Sequence, residues 1–261
     1  VDTDLKGDVD FSDLSELMRL KVSSHDSITG INVSGLTNLR YLYAGRNDML
    51  DTLDVSNLPN LYSVHCGSSN NLVSLNASTC PRLYKIKASY SAITNINLAG
   101  SDSIAFLTLR DNDITSLDVS TKTELLCLQI SGNGNLTSLV GLQNLSKLFA
   151  LKIAETQIGG TIDVAWFNTD SLYKFGASEC QLDTVANWNL FRADVEAVNV
   201  EENRLTLSNA TQIYNELAPT NSYGGDDQIR YGRDTIYVGG MTDYPGEDTI
   251  DISGTLVAST F

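Results

Sequence analysis

The sequence predicts an α/β repeat solenoid: an arc of stacked coils with a parallel β-sheet on its concave side, irregular convex limbs, and a small C-terminal helix-plus-strand cap. Three observations predict it. An apolar-x-apolar core recurs nine times at intervals of 21–24 residues, a mostly polar position follows each core start by five residues, and a second apolar pair comes after that. With 42% hydrophobic residues in 261, the chain has the material for one continuous core.

The first element of each coil is a short strand. Its two inward positions are Leu20/Val22, Leu42/Ala44, Val64/Cys66, Ile86/Ala88, Leu107/Leu109, Leu128/Ile130, Leu151/Ile153, Phe175/Ala177 and Val198/Val200. Alternation with period two fits a strand that buries one face, and nine such strands make roughly 40 Å of sheet at about 4.8 Å each. The next element is a tight turn, where His25, Asn47, Ser69, Ser91, Asn112, Asn133, Thr156, Cys180 and Asn203 form a ladder. A side-chain polar group there satisfies backbone groups that the turn leaves open. The return limb then closes on Ile28/Ile31, Leu50/Leu53, Leu72/Leu75, Ile93/Ile96, Ile114/Leu117, Leu136/Leu139, Ile158/Ile162, Leu182/Val185 and Leu205/Leu207. Such a coil buries its apolar face only by stacking on its neighbours.

At the N-terminal end, Leu5 to Val9 aligns with Ile158 to Ile162, so Leu5 to Leu17 reads as a partial leading coil. At the other end, Asn209 as N-cap, Ile213 and Leu217 at i, i+4, and Pro219 as terminator predict a capping helix. A Gly/Asp turn at 224–227, strand-like segments at 228–232 and 235–240, and a tail at 248–261 follow. Ile250, Ile252 and Leu256 of the tail are too sparse to fold alone, so the tail is expected to pair with the cap or with another chain. Residues 1–208 are therefore read as the solenoid and 209–261 as its cap and tail.

The pattern is that of a leucine-rich repeat. Residues 53–78 and the limb Ile114 to Ser120 resemble bacterial internalin-type repeats. The closer likeness is to a subgroup with an L-x-C core and D-V-S return limbs, also found in Bacteroidetes and bacteriophage surface proteins. The resemblance covers about residues 5–208. It implies a leucine-rich-repeat horseshoe and a non-enzymatic attachment or recognition module, extracellular and displayed on a cell or virion surface, with its ligand on the concave sheet. Fold alone does not fix function. The sequence departs from the subgroup in one respect: only Cys66 stands at the L-x-C core, with Ala44 and Ala88 in the neighbouring coils.

The formal net charge is −15, which argues against nucleic acid, whose phosphates call for a basic footprint. No apolar run reaches the roughly 18 residues that span a bilayer, so no membrane insertion is expected. The concave face is expected to run against the overall charge. The three outward columns of the nine strands hold 27 positions, with seven basic residues, Arg19, Lys21, Lys85, Lys87, Arg110, Lys152 and Lys174, and one acidic residue, Glu201. With Tyr41, Tyr43 and His65 they compose a candidate groove for an anionic glycan or an acidic protein patch, the Tyr rings stacking on sugar or peptide. Tyr62, Tyr84 and Tyr173, one position upstream, are expected along its rim. Depletion of Asp from strands explains few acids, and it explains many Lys and Arg less well.

Other features carry less. Asp2, Asp4, Gly7, Asp8, Asp10 and Asp13 approach the spacing of a calcium loop, but Lys6 takes the fifth ligand position and Leu5, Val9, Leu14 and Leu17 already fit the repeat, so an acidic cap edge is the better reading and Ca2+ the lesser one. The acidic cluster from Asp226 to Asp251 reads as a solvated tail. Cys66, Cys80, Cys127 and Cys180 share no column between adjacent coils, which predicts four free thiols. Five Asn-x-Ser/Thr sites, at Asn32, Asn76, Asn135, Asn144 and Asn209, are about the number chance provides. His25 and His65 lie on different coils with no catalytic motif, so no enzyme class is supported. The rival to recognition is a structural role, decorating a phage head, tail or fibre or a cell-surface layer, with residues 242–261 making an oligomer or assembly contact.

Overall fold

The computed structural model describes residues 5–168, 170–187, 190, 197–200, 203–205, 235–237 and 249–251. One parallel sheet of nine three-residue strands runs through it: Arg19–Lys21, Tyr41–Tyr43, Ser63–His65, Lys85–Lys87, Phe106–Thr108, Cys127–Gln129, Ala150–Lys152, Lys174–Gly176 and Ala197–Asn199. Their central residues stand directly opposite one another from Leu20 and Leu42 through to Phe175 and Val198. This is the register that the 21–24-residue period requires. A one-residue slip would turn every inward side chain outward. The inward positions from Leu20 to Ala177, and Val200 after them, are buried and join the return-limb residues in a single core.

The strands stop after three residues because each coil turns sharply at a left-handed residue. Ser24, Arg46, Ser68, Tyr90, Asp111, Gly132, Glu155 and Glu179 occupy this place with φ of 50–73°. The turn leaves backbone groups facing the core, and the polar ladder meets them as expected. Asn133 Nδ2 donates to the carbonyls of Leu109 and Ile130, while its Oδ1 accepts from Ile114 N–H. Asn47, Asn112 and Asn203 repeat this arrangement in their own coils. Ser69 and Ser91 hydroxyls accept from the N–H of the preceding rung, and the Cys180 thiol donates to the Ile153 carbonyl.

The convex limbs are more regular than expected. They form four small parallel sheets: Lys6–Asp10 with Ser27–Asn32; Thr52–Asp54, Ser74–Asn76 and Asn95–Asn97; Ser116–Asp118 with Ser138–Val140; and Gly159–Asp163 with Gln181–Ala186. The D-V-S and related limbs end in Asx turns, in which Asp10, Asp54 and Asp118 accept the N–H of Ser12, Ser56 and Ser120. These bonds hold the three carboxyls below their usual range; at Asp54 they outweigh a burial that pushes the other way. Lys6–Asp10 packs as a partial leading coil, and its alignment with 158–162 is exact at the irregularity. Both strands bulge after a glycine of positive φ, Gly7 and Gly160.

Lys122 was not anticipated as a core residue. It occupies the limb slot filled by Leu36, Leu58 and Cys80 in other coils, is 2% exposed, and bonds the Leu98 carbonyl and the Asp102 carboxylate at 2.9 and 2.6 Å. Helix among the described residues is of the 3-10 kind, in the turns Leu142–Asn144 and Val164–Trp166 and at Leu190. The capping helix expected at 209–219 lies outside the described residues. Of the C-terminal segments, Thr235–Tyr237 pairs antiparallel with Thr249–Asp251, so this part of the tail finds a partner within the chain.

Candidate functional site

The concave sheet lines an open groove of about 810 Å3 that includes Lys21, Tyr43, His65, Lys85, Lys87, Lys152 and Lys174. The cations reach it because they sit at alternate positions beside the inward core residues, which strand geometry turns outward. Ion pairs among the described residues include Arg110–Asp111, Lys122–Asp102 and Lys147–Glu124; Lys21, Lys85, Lys87 and Lys152 take part in none of these three. These four lysines therefore bring positive charge to the groove without a carboxylate from those pairs beside them. Burial pushes the Lys152 ammonium below its ordinary value, and repulsion from Lys174 and Arg110 adds to it. His65 is lowered in the same way, first by burial and then by Lys87 and Lys85. Arg110 reaches across to Tyr90, with its guanidinium 5.9 Å from the ring, and its Nε is buried without a hydrogen-bond partner among the described residues.

The Tyr rings, expected to stack on sugar or peptide, also have ring partners within the chain. They pair with one another from coil to coil. Tyr41 meets Tyr62 edge-on at 5.9 Å, Tyr62 stacks on Tyr84 at 5.1 Å, Tyr84 tilts against Phe106 at 5.4 Å, and Phe106 meets Phe149 at 6.2 Å. Tyr43 lies edge-on to His65 at 4.9 Å, and Arg19 and Lys85 sit over Tyr41 and Phe106. Tyr41, Tyr62, Tyr84, Phe106 and Phe149 thus form a continuous ladder of rings from coil to coil. Phe149 was missed by the sequence reading, although it occupies the same upstream column as Tyr62, Tyr84 and Tyr173. Phe106 and Phe149 come together across the coil of Cys127, where the outward column is closed: Cys127 and Ala150 are buried, as is Ser63 nearer the first coils.

The other candidates separate. Asp8 accepts the Thr29 hydroxyl, and Asp10 accepts Ser12 N–H and the Asn32 amide, so both serve the leading coil; Asp13 is exposed, and Asp2 and Asp4 lie outside the described residues. Among the described residues no group of three or more His, Cys, Asp or Glu is placed to hold a metal. A second hollow, of about 730 Å3, lies over the return limbs around Asp8, Asp10, Asn32 and Asp54, whose side chains are already engaged by turns and neighbouring coils. All four cysteines are free and buried; complete burial pushes the Cys66 thiol up to about 12. His25 sits in the turn ladder, away from His65 on the concave strand. No helix among the described residues is long and apolar enough to cross a membrane.

No protein-family model and no curated protein matches the sequence. Solved structures do. The leucine-rich-repeat domain of LRIM1 matches at 15% identity and TM-score 0.52, over 86% of this chain and 87% of that one. A chain of the LRIM1/APL1C complex matches at 14% identity and TM-score 0.50, over 93% of this chain and 48% of that one. An internalin from Listeria monocytogenes is also found, at 18% identity and TM-score 0.29, over 79% and 80%. The fold is that of leucine-rich-repeat proteins.

Proposed function

We propose that the chain is a non-enzymatic recognition module, which binds an anionic glycan or protein partner through its concave face outside the cell, on a cell or virion surface. The observation that carries the proposal is the concentration of cations on the concave face of a protein whose net charge is −15, with Lys21, Lys85, Lys87 and Lys152 lining the groove outside the ion pairs named above. Such a groove focuses the field on one side and draws an anionic ligand in. Arg19, Lys21, Lys85, Lys87, Arg110, Lys152 and Lys174 supply the charge, with Tyr41, Tyr43 and His65 beside them. In this reading the solenoid of residues 1–208 is the binding unit, and 209–261 caps it.

The test is binding of the purified chain, and of a Lys85→Glu/Lys87→Glu/Lys152→Glu variant, to an array of acidic and neutral glycans, envelope polymers and acidic proteins at two salt concentrations. Binding that weakens with salt and disappears in the variant supports the proposal. Binding that the variant retains places the ligand elsewhere and overturns it.

A further inference from the structure

One row of the concave sheet carries a lysine on every third strand. The residues standing opposite one another in this row are Lys21, Tyr43, His65, Lys87, Thr108, Gln129 and Lys152. Strands in a sheet lie about 4.8 Å apart, so successive lysines of the row stand roughly 14 Å apart. Each has a second cation beside it. Arg19 and Lys85 lie two residues from Lys21 and Lys87 on the same strands, and Lys174 lies on the strand next to Lys152. All three lysines of the row line the groove. Between them the row presents Tyr43 and His65 first, and then the hydroxyl and amide of Thr108 and Gln129.

This spacing fits one kind of polymer well. An extended peptide advances about 3.4 Å per residue, so four residues cover roughly 14 Å. Four is also an even number, so residues i, i+4 and i+8 project from the same face of the extended chain. The rim favours a peptide over a sugar chain. Tyr62 and Tyr84 have turned ring faces toward each other at 5.1 Å and 10° from parallel, and Arg19 and Lys85 sit over Tyr41 and Phe106. Beside the lysines, Thr108 and Gln129 add a hydroxyl and an amide, suited to a backbone that passes over the sheet.

We infer that the groove takes an extended segment of a partner protein, lying across the strands, whose acidic side chains recur at every fourth residue and seat on Lys21, Lys87 and Lys152. The inference rests on the concave face being the binding face, and it adds the class of ligand and a spacing rule.

The experiment compares three probes on the full chain by fluorescence anisotropy. One is a Ser/Thr-rich peptide with Glu at every fourth position, the second has the same composition with its Glu residues consecutive, and the third is polygalacturonate. The spaced peptide is expected to bind about tenfold more tightly than the clustered one. Lys87→Glu and the milder Lys87→Gln remove that preference, while Lys147→Ala, on an exposed Lys147–Glu124 pair outside the groove, leaves it intact. Equal affinity for the two peptides overturns the spacing rule while leaving an anion-binding groove. Binding of polygalacturonate alone overturns the peptide class. Binding of none of the three overturns the inference together with the groove reading beneath it.

Discussion

The rings of Tyr62 and Tyr84 stack across adjacent coils, 5.1 Å apart and within 10° of parallel. Each sits just upstream of its concave strand, so the contact ties one coil to the next outside the core. Tyr84 also meets Phe106, which places it in the middle of the ladder. Tyr84→Ala is expected to cost about 2 kcal/mol, and Tyr84→Phe much less, because the ring carries the contact. A Tyr62/Tyr84 double-mutant cycle read from urea midpoints should give a coupling of about 0.5–1.5 kcal/mol. Additive single effects would mean that the stack contributes nothing of its own.

Asn133 is fully buried and serves three backbone groups from its own and the preceding coil. Asn133→Ala strands those groups without water, and a loss of about 3 kcal/mol or more is expected. Asn133→Ser should lose less, since Ser69 and Ser91 fill the same rung elsewhere. Chemical denaturation of both variants checks the order; equal losses would show that the rung is a packing position only.

Thr79 holds a left-handed conformation with φ of 57°, in an exposed turn of the return limb. A β-branched residue is strained there, so Thr79→Gly is expected to stabilise by about 0.5–1 kcal/mol after the added freedom of the unfolded chain is allowed for. Gly141 makes the opposite case: at φ of 94°, an added Cβ would run into the Ser120 backbone. Gly141→Ala should therefore destabilise. Thermal melts of the two variants should move in opposite directions.

His65 is held below its ordinary value of 6.5 by burial, Lys87 and Lys85, with the Tyr43 ring edge-on beside it. Protonation is therefore easier in the unfolded chain, so the stability that His65 contributes is present above pH 6.5 and is lost as pH falls through the lower folded value. An anion in the groove reverses the balance by favouring the charged ring. Affinity for an anionic ligand is expected to strengthen as pH falls from about 7 to 5.5, and His65→Gln should flatten the profile. Titrations at several pH values provide the check; a wild-type profile as flat as the variant's would remove His65 from the site.

The concave register was legible because a period of 21–24 residues leaves few ways to stack coils, and the inward positions from Leu20 to Val198 could be aligned on their apolar character alone. The outward cations followed from the same alternation. The partners of the aromatic residues were not legible. Whether Tyr84 faces solvent or Tyr62 depends on side-chain directions that no linear spacing encodes. Cys127 stands in an outward column of the concave strands, yet it is buried between the coils of Phe106 and Phe149. Lys122 escaped notice because a charge in an apolar slot gives no periodic signal; Asp102 and the Leu98 carbonyl make it tolerable there. The regular convex limbs trace to Asx turns whose D-V-S motif was visible, though its effect on strand pairing was not.

The most direct measurement of the central claim is a lysine-acylation footprint of the chain with and without a saturating anionic ligand, read residue by residue by mass spectrometry. The account predicts protection of Lys21, Lys85, Lys87 and Lys152 in the groove, with Lys6 on the leading limb strand and Lys147 beside Glu124 reacting as before. Protection of Lys6 or Lys147 with the groove lysines unchanged would contradict it.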